Sequence, residues 1–135
     1  MFNTIGIITK PKDFTSEETA RELSVFLHDQ GVLLVEGSDQ ISKNADLIIV
    51  VGGDGSILNT ARTYVDSNIP ILGVNLGRLG FLADVSVENM IAVVEQILNG
   101  DFIKEERALL SCQIEKGNQI ISKHLAFNDA VIHRN

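Results

Sequence analysis

The chain has 135 residues, 44% of them hydrophobic, which is enough to bury the core of one ordinary domain, or of one domain plus part of another, and argues against a disordered chain. Its 18 acidic and 11 basic residues leave a net charge of -7, which argues against an extended electrostatic footprint for nucleic acid or an anionic membrane surface, but not against a phosphorylated ligand held by backbone amides. The single cysteine, Cys112, cannot form an internal disulfide or a zinc cluster; the opening MFNTIGIITK has no basic segment ahead of a long apolar one; and no apolar run is long enough to cross a bilayer. A soluble, cytoplasmic protein is expected.

Residues 4–9 are short, apolar and rich in isoleucine, and Lys10-Pro11 ends them, so they predict a buried strand. A capping-box spacing at Thr15 and Glu18, then Ala20, Leu23, Phe26 and Leu27, with Gly31 as a stop, predicts an amphipathic helix. Residues 32–35 and 46–51 predict a second and a third strand joined by a polar connection through Asp39 and Lys43. Ile57, Leu58, Ala61, Tyr64 and Val65 restore a helical period that ends before Pro70, and residues 71–74 predict a fourth strand. Met90, Ile91, Val93, Val94, Ile97 and Leu98 form a further helical face, capped by Ser86 and closed by Asn99-Gly100. From Phe102 onward the chain reads as strand, with a turn at Lys116-Gly117-Asn118 and then strand again through QIISKHLAFNDAVIHRN.

Strands alternating with helices imply an open parallel sheet with helices on both faces, here over residues 1 to about 100, whereas paired strands imply an antiparallel sheet. The boundary is expected near Asp101. Residues 101–135 are too few to bury both faces of a sheet, so they are expected to be the first antiparallel strands of a β-rich second domain that is incomplete.

The chemistry concentrates at VVGGDGSILNT, where an aliphatic strand runs into Gly52-Gly53-Asp54-Gly55. In an open parallel sheet the ligand lies beyond the carboxyl ends of the strands, and glycines there leave room for a phosphate or a ribose against the main chain. The loop has neither the lysine of a Walker A sequence nor a G-x-G-x-x-G fingerprint. Asp54 or Ser56 can simply cap the following helix. A carboxylate facing a bare phosphate would be repelled, so in a binding role Asp54 is better employed on a hydroxyl, or on a metal ion bridging phosphates. Phosphoryl transfer to a hydroxyl needs positioning, charge neutralisation and a proton acceptor. A second glycine-rich stretch, GVNLGRLGFLADV, follows the next strand, with Asn75 and Arg78 among Gly73, Gly77 and Gly80; it reads either as a flexible connection plugged by Phe81 and Leu82 or as the other side of one cleft. The polar pair Asn128-Asp129 interrupts LAFNDAVIH and needs a turn, an edge position or a ligand to satisfy it. His28, His124 and His133 have no ligand spacing and read as surface or structural residues.

Together, VVGGDGSILNTAR, ILGVNLGRLGFLADV and AFNDAVIHRN, in this order and at these separations, resemble the NAD kinase family, and ERALL at residues 106–110 is similar to the family's stretch at the start of its second domain. GGDG alone also resembles diacylglycerol-kinase-like lipid kinases and phosphofructokinases; NLGRLGFL and the Asn-acidic pair narrow the choice. The resemblance implies transfer of a phosphoryl group from ATP or polyphosphate to the adenosine ribose 2′-hydroxyl of NAD, giving NADP, with a divalent metal, Mg2+. It implies Asp54 as proton acceptor, Gly55 lining the nucleotide, Phe81 against the dinucleotide, and Asn128 and Asp129 on its ribose or adenine. No residue is assigned as a metal ligand. Family members usually carry glutamate after the asparagine, so the shorter Asp129 implies a shifted or water-mediated contact. They also continue past Asn135 into a β-rich domain that completes the nucleotide site. The 135 residues by themselves are therefore expected to be inactive or nearly so, and either to associate with copies of themselves as a homo-oligomer through exposed strand edges or to carry a mobile C-terminal segment. A GGDG-type lipid or sugar kinase, and a non-catalytic nucleotide-binding or assembly module, are the alternatives.

Overall fold

The computed structural model describes residues 1–77, 80, 82, 85–127 and 129–131. The chain divides into two compact units, Met1–Lys104 and Glu105–Asn135.

In the first unit, β1 (Thr4–Thr9), β2 (Leu33–Val35), β3 (Leu47–Gly52), β4 (Ile71–Asn75) and β5 (Val85–Ser86) form a parallel sheet in the order β2-β1-β3-β4-β5. The side chains of β3 explain its central place. Leu47, Ile49 and Val51 point to one face, Ile48 and Val50 to the other, and all five are buried, so each contributes about 1.5–3 kcal/mol relative to an exposed position. A strand that is apolar on both faces requires helices on both. On one face lie α1 (Phe14–Asp29), through Ala20, Leu23 and Leu27, and α4 (Met90–Leu98), through Met90, Val94 and Ile97. On the other lie Ile41 of α2 (Ser38–Asn44) and Ile57 of α3 (Asp54–Thr63), with Tyr64.

The ends of these elements have specific causes. Helix α1 is capped by Asp13, whose carboxylate accepts the Ser16 N–H at 2.9 Å, and it is closed by Gly31 at φ +76, with the Val32 N–H returning to the Leu27 carbonyl. Helix α4 ends in the same way, with Gly100 at φ +88 and the Asp101 N–H on the Gln96 carbonyl. Phe102 then stacks on Phe2 with ring centroids 5.2 Å apart, returning the chain to the N-terminal side of β1.

The second unit pairs β6 (Leu110–Lys116) and β7 (Gln119–Ala126) antiparallel across a two-residue turn. Gly117, at φ +62, takes the first turn position, the glycine position of a type II′ hairpin. The register shifts beyond Ile114↔Ser122, and Leu110, Ile114, Ile120 and Ile121 remain exposed. Among the described residues no helix is long and apolar enough to cross a membrane.

Several sequence-based expectations change. The cap of α1 is Asp13, not the Thr15–Glu18 box, because the helix begins one residue before Thr15. The polar connection at Asp39 and Lys43 is helix α2, which the periodicity did not reveal because a single buried side chain, Ile41, holds its seven residues. Helix α3 starts at Asp54 rather than near Ile57, with Gly53 at the cap position and no side-chain cap hydrogen bond, so neither Asp54 nor Ser56 caps it. Ser86 belongs to β5 and precedes a short 3-10 turn, Val87–Asn89, so it does not cap α4. Residues 101–109 form no strand; β7 ends at Ala126 and Asp129, Ala130 and Val131 belong to no strand, whereas Asn128 and residues 132–135 of the expected strand lie outside the described residues.

Because Ile41 is the buried anchor of α2 and packs over Gly6 of β1, Ile41→Ala is expected to cost about 2–4 kcal/mol in urea unfolding. A loss below about 0.5 kcal/mol would mean that α2 is not docked on the sheet.

Candidate functional site

The carboxyl ends of β1, β3 and β4 lie side by side, with Thr9 opposite Val51 and Gly52 opposite Asn75. This is the topological switch point of the sheet: β1 has β2 on one side and β3 on the other, and the loops after β1 and β3 lead into helices on opposite faces. A cleft of about 290 Å³ opens there, lined by Lys10 and Asp13 after β1, Gly52 and Gly53 after β3, and Asn75, Leu76 and Gly77 at the end of β4. A larger hollow of about 460 Å³ lies on the outer face of α1, between Glu18, Thr19, Arg21, Glu22 and Val25. All five of its residues come from one helix, so it lacks the convergence of separate loops that marks the switch-point cleft.

Hydrogen bonds fix the walls of the cleft. The buried Ser16 hydroxyl donates to the Val51 carbonyl at 2.6 Å and accepts the Lys10 N–H at 2.9 Å, joining the first turn of α1 to the ends of β1 and β3. The Leu76 N–H returns to the Gly52 carbonyl at 3.1 Å, and the buried Asn75 side chain accepts the Gly77 N–H at 3.0 Å, which turns the chain sharply after β4. Asp13 caps α1 with one carboxylate oxygen, while the other lies 3.5 Å from the Lys10 ammonium. The Ser16 N–H, and after it the Lys10 charge, holds the Asp13 carboxyl below its ordinary range.

The glycines of the loop separate into two kinds. A Cβ at Gly52 would stand 2.7 Å from the Ser56 hydroxyl oxygen and 2.9 Å from its Cβ, so packing excludes a side chain. At Gly53 and Gly55 a Cβ would meet nothing within 4 Å, and neither residue has a left-handed φ. Packing among the described residues therefore makes no demand for glycine at 53 and 55. Space left bare beside the main chain at a strand end is what an incoming phosphate or ribose uses.

Asp54 is the first residue of α3, and Gly55 the second. One Asp54 carboxylate oxygen accepts the Leu82 N–H at 3.3 Å, and a Cβ at Gly80 would overlap the carboxylate. The second glycine-rich stretch thus packs its backbone onto Asp54, with Leu82 seated against the cluster of Ile48, Val50 and Ile57. Asp129 is exposed and belongs to no strand or helix of the second unit. Phe81 and Asn128, and with them Arg78 and His133, lie outside the described residues. Lys10, Asp13 and Ser16 were not singled out as site residues from the sequence; the available signal was a lysine and an N-cap aspartate directly after a buried strand, and only the pairing of β1 with β3 brings them to the glycine loop.

The profile of the ATP-NAD kinase N-terminal domain matches residues 33–102, slightly more than half of the chain, from β2 to just past α4. The chain belongs to the NAD kinase family. It is 38% identical to the NAD kinase of Nitrosomonas eutropha over a 150-residue alignment covering 99% of this chain and 51% of that protein. It is 40% identical to the NAD kinase of Hydrogenovibrio crunogenus over 153 residues, covering 100% of this chain and 53% of the relative. Against NAD kinases of this length the chain spans about half. The yeast NADH kinase complexed with NADH superposes with a TM-score of 0.76 over 93% of this chain and 44% of that one, at 22% identity, a likeness of fold. The NAD kinase from Archaeoglobus fulgidus in complex with ATP gives a TM-score of 0.55 at 25% identity, over 72% and 37% of the two chains.

If Gly52 is set by packing and Gly55 by a ligand, alanine separates them. Gly55→Ala is expected to leave the fold intact or up to about 1 kcal/mol more stable, as alanine is in a helix, whereas Gly52→Ala lowers stability by about 1–3 kcal/mol. Paired thermal or denaturant unfolding checks this, and equal destabilisation by both would remove the distinction.

Proposed function

We propose that this chain forms the nucleotide-binding half of an NAD kinase, which transfers the terminal phosphoryl group of ATP or polyphosphate to the adenosine ribose 2′-hydroxyl of NAD. The observation that carries this reading is the position of Asp54: a carboxylate at the head of α3, at the switch point of the sheet, oriented by the Leu82 N–H and flanked by bare glycine backbone. That placement suits a group that must meet a hydroxyl rather than a phosphate. The family membership, the NADH and the ATP bound by the two structural neighbours, and the residue pattern support the same substrates.

In the proposed reaction the 2′-hydroxyl oxygen forms a bond to the terminal phosphorus of the donor, the bond from that phosphorus to the leaving phosphate oxygen breaks, and the hydroxyl proton passes to the Asp54 carboxylate. The products are NADP and the donor shortened by one phosphate. Gly55 leaves the nucleotide room against the start of α3; Phe81 is assigned to the dinucleotide, and Asn128 and Asp129 to its ribose or adenine. Asp129, one methylene shorter than the usual glutamate, is assigned a shifted or water-mediated contact.

The described residues hold no group of three or more His, Cys, Asp or Glu side chains able to cage a metal ion. They fit instead a divalent cation such as Mg2+ that arrives on the donor phosphates and needs only one or two carboxylates, of which Asp13 and Asp54 stand at the cleft and beside it. When bound, that cation neutralises charge on the phosphate oxygens. The protein's share is to position the hydroxyl and accept its proton.

The test uses a chain extended through the second domain to the length of its relatives. Asp54→Asn keeps the shape but cannot take the proton, so kcat for NADP formation is expected to fall by about 10²–10⁴-fold while NAD affinity stays close to that of the unsubstituted protein. Near-normal turnover would make Asp54 a structural residue; no NADP from the unsubstituted extended chain would remove the kinase reading itself.

A further inference from the structure

The loop after β1 has features that packing does not account for. Lys10-Pro11-Lys12-Asp13 is a tight turn closed by the Asp13 N–H on the Lys10 carbonyl at 3.3 Å. Its third residue, Lys12, has φ +58, a conformation that a glycine or asparagine adopts at lower cost. Stability alone would select glycine there, so a lysine held in the left-handed region is a candidate for function. Two of the 11 basic residues of a chain of net charge -7 therefore stand within three positions of each other, immediately after the strand that borders β3. Lys10 lines the cleft opposite Gly52 and Gly53. Its side chain is 60% exposed, and its ion-pair partner Asp13 already uses one oxygen as the cap of α1, so a stronger anion displaces that pairing at little cost.

Anionic substrates approaching an acidic protein need a local reversal of sign. We infer that the β1–α1 loop supplies it: Lys10, supported by Lys12, binds the polyphosphate tail of the phosphoryl donor in the cleft between the β1 loop and the Gly52-Gly53 turn. The donor phosphates then lie against the bare backbone of Gly53, next to Asp54, whose carboxylate is held from its other side by the Leu82 N–H and the Gly80 backbone. This assignment rests on the kinase reading for the name of the donor, but its chemistry, a chain of phosphates on an ammonium group, is measurable without turnover. The pyrophosphate of NAD offers similar chemistry, so the two substrates are compared directly.

Inorganic tripolyphosphate without divalent metal, and separately NAD, are titrated calorimetrically into the 135-residue chain and its variants. Lys10→Met is expected to weaken tripolyphosphate by roughly tenfold and Lys10→Arg to restore it within about threefold, with NAD affinity unchanged within about twofold. Lys12→Gly is expected to raise the melting temperature while weakening tripolyphosphate by roughly threefold. Wild-type tripolyphosphate affinity in Lys10→Met, absence of tripolyphosphate binding by the unsubstituted chain, or a Lys10→Met loss confined to NAD would each overturn the inference. Lys10-dependent tripolyphosphate binding together with no NADP formation by the extended chain would sink the kinase reading and leave the polyphosphate loop standing.

Discussion

The structure turns on a strand that has no exposed side. β3 is hydrogen-bonded to β1 on one edge and β4 on the other, and its aliphatic side chains are buried on both faces. A segment in that position has no water to satisfy its polar groups, so every backbone bond must go to a neighbouring strand, and every side chain needs a helix above it or below it. Two helices on each face follow from that requirement. So does the site, because the strand can meet solvent only at its ends.

The two ends of the sheet solve the emergence of the chain differently. At the amino ends, the Asp46 carboxylate accepts the N–H groups of Asn3 and Thr4, and the Phe102 ring packs on Phe2, so the backbone donors there are satisfied by the protein itself. At the carboxyl ends the Ser16 hydroxyl ties β1, β3 and α1 together, and beyond it the surface is glycine backbone, a lysine and the cleft. Hydrogen-bonded walls around an open floor suit the phosphoryl transfer proposed above, since positioning and charge neutralisation are most of what such a reaction asks of a protein.

How much of this was legible depended on how much of each element's stability is local. The runs at residues 4–9 and 46–51 announced buried strands because nothing else makes so dense an aliphatic sequence ending at proline or glycine, and the sheet contains them nearly as read. Helix α2 was illegible because one isoleucine holds it, and a single contact has no period. The N-cap of α1 was misplaced by two residues because Thr15-x-x-Glu18 satisfies the capping pattern as well as Asp13 does, and only the hydrogen bond to Ser16 distinguishes them. Residues 101–109 have strand-like composition without a strand partner, which composition cannot reveal. At the site, the Gly52-Gly53-Asp54-Gly55 signal was visible as an excess of glycine over the needs of a turn. That Gly52 answers to Ser56, whereas Gly53 and Gly55 answer to none of the described residues, is visible only in the folded structure. The same holds for Lys10 and Ser16, which reach the loop only through the sheet order.

A polypeptide built in this way brings its glycine backbone, its Lys10 and its Asp54 together where β1, β3 and β4 end, and it belongs to the NAD kinase family, from which the proposed nucleotide site follows. The most direct measurement is the amide ¹H–¹⁵N spectrum of the chain with and without ATP and NAD. The largest shifts are expected at Lys10, Asp13, Gly53, Gly55 and Gly77, with the amides of Thr4, Leu33, Leu47 and Ile71 at the opposite ends of the strands nearly unmoved. Shifts concentrated at those opposite ends, or along β6 and β7 with the glycine loop silent, would contradict the assignment of the switch point as the nucleotide site.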